Sequence, residues 1–183
     1  MPLKLVLVSL IGFFGLIFGM VLGFLTKEEL KPGKKYFHLL LNLALLSLIF
    51  ILITKILSNL FISAIFFLLG ILVGYFFRKN YLYFGIAIVA SIIIDANLMV
   101  LLAGLIFLYG LANGALLTEA NLNRHKKIYP IIVSNLVLFA LPFAFIAMDE
   151  GIKQHYYILF AFSAGALIMS LLKNFQNLRS MEY

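Results

Sequence analysis

The sequence contains no cysteine and few charged residues, and each absence excludes a class of protein. Without cysteine the chain has no disulfides, no thiolate nucleophile and no cysteine-ligated metal site. Charged residues make up 11% of the chain and apolar residues 64%, whereas about a quarter of the residues in soluble domains are charged. This composition excludes a water-soluble globule. It predicts an all-α integral membrane protein that forms one membrane domain.

Apolar runs follow one another along the 183 residues with short polar gaps between them. A helix needs about 20 apolar residues to cross a bilayer, so the chain has room for about seven spans and little else. The first run is longer than the core of a signal peptide and has no small-residue cleavage site, which makes it a span. The predicted spans are Leu5–Leu25, Tyr36–Ile53, Leu60–Phe77, Tyr81–Ile94, Leu98–Leu117, Tyr129–Met148 and Tyr156–Leu172.

The basic residues are concentrated in alternate gaps. Of 14 Lys and Arg residues, 11 lie in one set of gaps, and the other set, with the N-terminus, holds Lys4, Lys55 and Lys153. The larger set is Lys27, Lys31, Lys34, Lys35, Arg78, Lys79, Arg124, Lys126, Lys127, Lys173 and Arg179. Because Lys and Arg mark cytoplasmic loops, the N-terminus is expected outside and the C-terminus in the cytoplasm of a multi-pass cell-membrane protein. Topology thus explains the net charge of +7 without nucleic acid as a partner.

Tyrosines lie near the predicted ends of the spans. Amphipathic aromatic rings favour the headgroup level of a bilayer, so these residues are expected to form an interfacial belt. They are Tyr36, Tyr75, Tyr81, Tyr83, Tyr129, Tyr156 and Tyr157.

A series of residues recurs at a spacing of 91 to 93. Gly19, Gly23, Thr26, Leu30, Lys34, Lys35, Tyr36, Asn42 and Leu43 correspond in order to Gly110, Gly114, Thr118, Leu122, Lys126, Lys127, Tyr129, Asn135 and Leu136. Gly70 and Arg78 correspond to Gly165 and Lys173 at a spacing of 95. The pattern predicts a first three-helix repeat at 1–80, a linker helix at 81–97 and a second three-helix repeat at 98–183. The odd linker helix gives the two repeats the same orientation.

This three-plus-one-plus-three layout resembles the architecture of SWEET sugar transporters, PQ-loop transporters and TRIC cation channels. The sequence has neither a Pro-Gln dipeptide at the end of a first-repeat helix nor a glycine-rich signature of the TRIC kind, so the resemblance assigns no residue a role. Parallel repeats in transporters place the substrate site between the halves, near the middle of the bilayer. The architecture therefore implies transport as a function.

Glycines recur at helical spacing within the spans. Small residues let helices approach closely in a membrane, so close helix packing is favoured over a pathway lined by bare backbone. The predicted packing glycines are Gly19, Gly23, Gly70, Gly74, Gly110, Gly114 and Gly165.

Three asparagines lie at similar depth inside predicted spans: Asn42, Asn113 and Asn135. An amide in hydrocarbon costs free energy unless it finds a partner. The three side chains could converge on one substrate-binding site. The alternative is interhelical hydrogen bonds worth about 0.6 to 2 kcal/mol each, which only fasten the bundle.

Asp95 and Lys55 lie at outer ends of spans. As loop residues they would contact water, whereas a buried Asp95 would be the candidate for coupling transport to a proton or cation. Pro142 interrupts the sixth span and could introduce a static kink or a gating hinge.

Enzyme function is not predicted. His38 and His125 fall on the side opposite His155, so the histidines cannot form one metal site, and no cofactor-binding motif is present. The expected function is a small transporter or channel carrying a solute or ion between two repeats. The alternative is a non-catalytic membrane subunit or assembly factor. The expected partners are the lipid bilayer, anionic headgroups at the cytoplasmic loops, and a second copy or another membrane protein.

Overall fold

A computed structural model describes residues 2–56, 60–121, 128–147 and 155–179, and it confirms the all-α prediction. The helices are α1 (Pro2–Leu25), α2 (Lys27–Thr54), α3 (Leu60–Phe76), α4 (Asn80–Ile94), α5 (Ala96–Asn121), α6 (Ile128–Ala140) and α7 (Tyr156–Arg179). A 3₁₀ segment, Leu141–Ala147, continues α6. These ranges contain no strand. Arg124, His125, Lys126, Lys127 and Lys153 lie outside the described residues.

Four helices are long and apolar enough to cross a membrane, through the stretches Leu7–Leu25, Pro32–Thr54, Ala96–Ala120 and Tyr156–Gln176. Three shorter apolar stretches, Leu60–Phe76, Asn80–Ile92 and Tyr129–Ala144, lie between them in the sequence. Large apolar side chains also cover much of the outer surface, as at Phe50, Phe61 and Phe76. Length and composition thus fit a membrane protein, while the count of seven spans and their orientation stay predictions.

The predicted polar gap between the first two spans is itself helical. α2 begins at Lys27, so Thr26 alone separates it from α1. Lys and Glu are good helix formers, and hydropathy reports burial rather than helicity, so the helix begins before the membrane span predicted from Tyr36. Asp95 is likewise the single residue between α4 and α5. Two pairs of consecutive helices are therefore joined without a loop.

Glycines bring α1 against α5. A Cβ atom at Gly15 would lie 2.1 Å from the carbonyl oxygen of Phe107, and one at Gly19 would lie 2.1 Å from that of Leu111. From the other side, Gly110 and Gly114 face the α1 backbone near Leu16. Contact positions advance together along both helices, so α1 and α5 run parallel. Any side chain beyond hydrogen would force the backbones apart.

The same arrangement joins α3 to α7. A Cβ at Gly70 would lie 2.2 Å from the carbonyl oxygen of Phe162, and one at Gly165 would lie 2.1 Å from that of Phe67. Gly74 faces the backbone of Ala166. These two helices are also parallel, and the residues in contact differ by about the spacing seen in the sequence. Whether the chain consists of two superposable repeats stays a prediction.

The short helix α4, predicted as a linker, lies inside the bundle, packed against α5, α6, α7 and the 3₁₀ segment. Its Tyr81 and Tyr83 are buried within the bundle, as is Tyr157 of α7, whereas Tyr36, Tyr75 and Tyr129 are exposed. The interfacial belt stays a prediction. The buried rings pack on neighbouring aromatics, for example Tyr81 on Phe13 and Phe84. An apolar run surrounded by other apolar helices gives no sequence signal that separates burial from lipid contact.

Pro142 marks the change from α-helix to 3₁₀ helix after Ala140. Proline lacks the amide hydrogen needed for the α-helical bond to residue 138, which accounts for the change at this point. Its ring packs near Gly85 of α4, where an added Cβ would lie 3.0 Å from Pro142 Cγ. The proline is therefore seated against a neighbouring helix.

Candidate functional site in the polar interior of the bundle

One face of α2 carries three polar residues at intervals of four. Residues four apart are neighbours on a helix surface, so Lys34, His38 and Asn42 form a line along α2. Lys34 begins this line with an ion pair to Glu119 of α5, in which Nζ lies 3.0 Å from Oε2 and 3.1 Å from Oε1. His38 lies within electrostatic reach of both charges. The α2–α5 contact is therefore polar at one end and leads inward to an amide.

Asn42 lies at the inner end of this line and is 4% exposed. Within the described residues, neither its amide nitrogen nor its amide oxygen has a hydrogen-bond partner. Leaving a buried polar group unpaired costs about 1 to 3 kcal/mol, and most buried polar groups in proteins are satisfied. A ligand with both an acceptor and a donor group would satisfy the two amide atoms at this position.

The Nδ1 atom of His38 is also buried and without a hydrogen-bond partner in the described part of the chain. It stands one helical turn from Asn42, on the side toward Lys34. The unpaired imidazole nitrogen and the unpaired amide therefore succeed one another along α2. Apolar helix packing does not require such unpaired polar groups.

Asn113 is half-buried on α5 and is directed at the Tyr81 hydroxyl of α4. The hydroxyl is buried, and no hydrogen bond of good geometry reaches it from the described residues. Tyr81 is 3% exposed and lies in an aromatic cluster with Phe13, Phe84 and Tyr109. This second polar position lies on the α4 side of α5, whereas Asn42 lies on α2.

A hydrogen-bonded chain ties α4 to α5 and α7. The Asn80 amide nitrogen donates to the Tyr109 hydroxyl at 2.6 Å, and the Ser170 hydroxyl donates to the Asn80 amide oxygen. Both amide atoms of Asn80 are thereby satisfied. In contrast to Asn42, Asn80 forms interhelical hydrogen bonds that stabilise the bundle.

Asn135 is half-buried on α6. The principal neighbours of α2 are α5 and α7, whereas the principal neighbour of α6 is α4. Asn42 and Asn135 thus belong to different packing neighbourhoods, with Asn113 directed toward α4 between them. Convergence of all three amides on one solute stays a prediction.

Asp95 and Lys55 are both exposed, and neither forms an ion pair within the ranges that the structure covers. The Asp95 carboxylate accepts a hydrogen bond from the backbone N–H of Asn97 at 3.0 Å, and its carbonyl accepts one from Met99. This is the bonding of an N-cap residue at the start of α5. Lys55 follows α2 as its C-cap residue, and its backbone N–H donates to the Leu52 carbonyl oxygen. A role in coupling stays a prediction for both residues.

Sequence reasoning missed His38, Tyr81, Tyr109 and the Lys34–Glu119 pair as parts of the interior. The interval of four from Lys34 to His38 to Asn42 was the available signal for the first of these. The tyrosines gave none, because their partners are remote in sequence. Among the described residues, no group of three His, Asp or Glu side chains could hold a metal ion.

Comparison with protein-family models, with curated proteins and with solved structures finds no match to the chain.

Proposed function

We propose that the chain is a multi-pass membrane transporter or channel for a small polar solute, which binds at Asn42. The observation that carries the proposal is the buried amide whose two polar atoms have no partner among the described residues. A ligand with a hydroxyl or amide group would satisfy both atoms at once. Binding sites of this kind are mostly apolar and use a few well-placed polar groups to orient the ligand.

Several features support placement in a membrane. Four helices reach the required length and hydropathy, and the outer surface carries exposed residues such as Phe61, which is 79% exposed. Such a surface would aggregate in water but is solvated by lipid chains. The alternation of basic gaps supports the N-terminus outside and the basic ends in the cytoplasm of a cell membrane. Exposed Arg78, Lys79 and Lys173 would then lie near anionic headgroups.

The helix contacts support two parallel repeats with α4 as an added central helix. α1 packs on α5 and α3 packs on α7, and these are the pairs that the sequence repeat relates. In the proposed arrangement the equivalent helices meet about an axis along the membrane normal. Transporters built in this way bind substrate between their halves.

The experiment is solute flux in proteoliposomes containing the purified full chain. Light scattering after an osmotic step would follow uptake of glycerol and urea, and a potential-sensitive dye would follow potassium chloride. Asn42→Leu removes the amide at similar volume and is expected to abolish flux while the protein stays folded. Asn97→Leu, the same change at an exposed position, is the matched control and should retain flux.

A non-catalytic membrane subunit is the second candidate, and Gly104 favours it. Gly104 is exposed on α5, and a Cβ added there would have no described atom within 4 Å. The exposed Val100, Leu101 and Leu108 flank it. A shallow apolar groove of this kind suits a partner helix. Absence of flux for every solute, with an Asn42→Leu effect confined to stability, would favour this candidate.

A further inference from the structure

The polar line on α2 leads from an exposed end of the bundle to a buried position. Lys34 and Glu119 stand at the exposed end, with side chains 36% and 18% exposed. His38 follows after one turn, with its Nδ1 atom buried, and Asn42 after another. At 1.5 Å per residue, the amide lies about 12 Å along the helix from Lys34. A polar route with a charged mouth and a buried end is thus laid out on one helix face.

We infer that this α2–α5 contact is the access path from the basic end of the bundle to Asn42, and that the Lys34–Glu119 ion pair closes it. The solute class is a small neutral molecule with hydroxyl or amide groups. The inference rests on the proposed function and adds to it the route, the closing contact and the solute class.

The charges along the path explain why the solute is neutral. Lys34 and Glu119 neutralise each other, and Asn42 offers one donor group and one acceptor group without charge. With His38 in its neutral form, an ionic solute at the position of Asn42 would lack a free countercharge among the residues of this line. Burying an uncompensated charge costs far more than burying a hydroxyl that finds its partners.

Two small residues of α5 lie near the polar line. α2 and α5 run in opposite directions, because Lys34 near the start of α2 meets Glu119 near the end of α5. By this register, Ala115 falls opposite His38 and Leu111 falls opposite Asn42, with Ala112 next to Leu111. Both alanines are fully buried. Alanine leaves more room beside the polar line than Leu or Phe would, so in the proposed path a separation of α2 from α5 admits water and a small solute.

The ion pair has the properties of a reversible closure. It joins two helices at their solvent-facing ends through one contact, and partly exposed pairs of this kind contribute only about 0 to 1 kcal/mol. A contact of this strength keeps the outer end of the path closed but can break and re-form readily. Loss of either charge should therefore increase access to Asn42.

Thiol labelling tests the path directly, because the native chain has no cysteine. Asn42→Cys is introduced into the full chain in membrane vesicles whose basic ends face the bath, and labelling by a membrane-impermeant maleimide is timed. Lys34→Gln or Glu119→Gln is expected to accelerate labelling by up to about fivefold. The charge swap Lys34→Glu with Glu119→Lys is expected to return the slow rate.

Two control positions make the result specific. Leu43→Cys is the neighbour of the target on the exposed face of α2, and Ala90→Cys is a fully buried position on α4. Neither rate should respond to the ion-pair variants. An equal increase in the labelling rate at Ala90→Cys would show general loosening of the bundle and would overturn the path. An Asn42→Cys labelling rate that is the same with and without the ion pair would also overturn it.

Flux distinguishes this inference from the proposed function. In proteoliposomes, Lys34→Gln should raise glycerol or urea flux relative to the native chain and leave potassium chloride flux unchanged. If Asn42→Leu abolishes flux but Lys34→Gln and Glu119→Gln leave it unaltered, the ion pair does not close the path. The transporter function is then retained. Labelling that follows the ion pair in a protein with no flux would refute the transporter and retain the path. A preference for potassium chloride would refute the neutral solute class.

Discussion

Gly165 of α7 faces Phe67 of α3 so closely that a Cβ atom at Gly165 would lie 2.1 Å from the Phe67 carbonyl oxygen. Backbone cannot move away from this contact as the end of a flexible side chain could. The two parallel helices are therefore in register through their main chains.

Gly165→Ala should destabilise the protein. Separating the helices gives up packing around the contact, and overpacking of this kind costs about 1 to 3 kcal/mol. Gly104→Ala is the matched control, since no described atom lies within 4 Å of the added Cβ. There the gain in helix propensity of about 1 kcal/mol should leave stability unchanged or raise it. Thermal unfolding in detergent measures both, and equal midpoints for the two variants would contradict the packing role.

Tyr109→Phe should weaken the bundle without affecting the path along α2. The change removes the hydroxyl that accepts from Asn80 and leaves Asn80 bonded to Ser170. Interhelical hydrogen bonds in membranes contribute about 0.6 to 1.7 kcal/mol, and a loss within that range is expected. Tyr129→Phe, at an exposed tyrosine, is the control. The same denaturation assay should separate the two variants, with flux retained in both.

Asp95→Ala should lower stability by about 0.5 to 2 kcal/mol, because the N-cap of α5 is lost. Asp95→Asn should keep both stability and flux, since an asparagine oxygen also accepts from the Asn97 backbone N–H. Denaturation in detergent measures the difference in stability, and flux across proteoliposomes at fixed pH tests whether the carboxylate is needed for transport. A folded Asp95→Asn protein without flux would contradict this expectation and would support a coupling role for the carboxylate.

Orientation is testable with cysteines at the two ends of α4 and α5. Lys79 and Asn97 are exposed residues near opposite ends of α4, with Asn97 at the junction with α5. An impermeant maleimide added to intact cells should label Asn97→Cys and leave Lys79→Cys unlabelled until the membrane is permeabilised. Labelling of both from outside would contradict the topology based on Lys and Arg.

Tyr36 and Tyr81 show which part of the fold the sequence can and cannot predict. Each begins a predicted apolar span, yet Tyr36 is exposed and Tyr81 is buried. Long apolar runs predict helices because backbone hydrogen bonds must be satisfied within each span. They do not predict which helix is central, since lipid-facing and interior surfaces are both apolar.

For the site, the isolated amide of Asn42 was visible as a polar residue inside an apolar run. The bonds of Asn80 were not, because they reach partners 29 and 90 residues away. Local sequence patterns report the cost of burying a group, but only tertiary structure shows whether that cost is offset. Only the structure therefore distinguishes Asn42, which has no hydrogen-bond partner among the described residues, from Asn80, which has two.

The single residue Thr26 between α1 and α2 determines how α2 can swing. α1 is held on α5 by its glycines, so we expect a rotation of α2 to pivot near Thr26, with Pro32 inside the helix as a second point of bending. At 1.5 Å per residue, Lys34 lies about 12 Å from this pivot and Thr54 about 42 Å. A given rotation therefore moves the far end of α2 more than three times as far as its basic end. In the proposed path, the basic end would open when the side chains of the ion pair separate. The opposite end of α2 would open by displacement of the helix itself. The two ends could then open at different times.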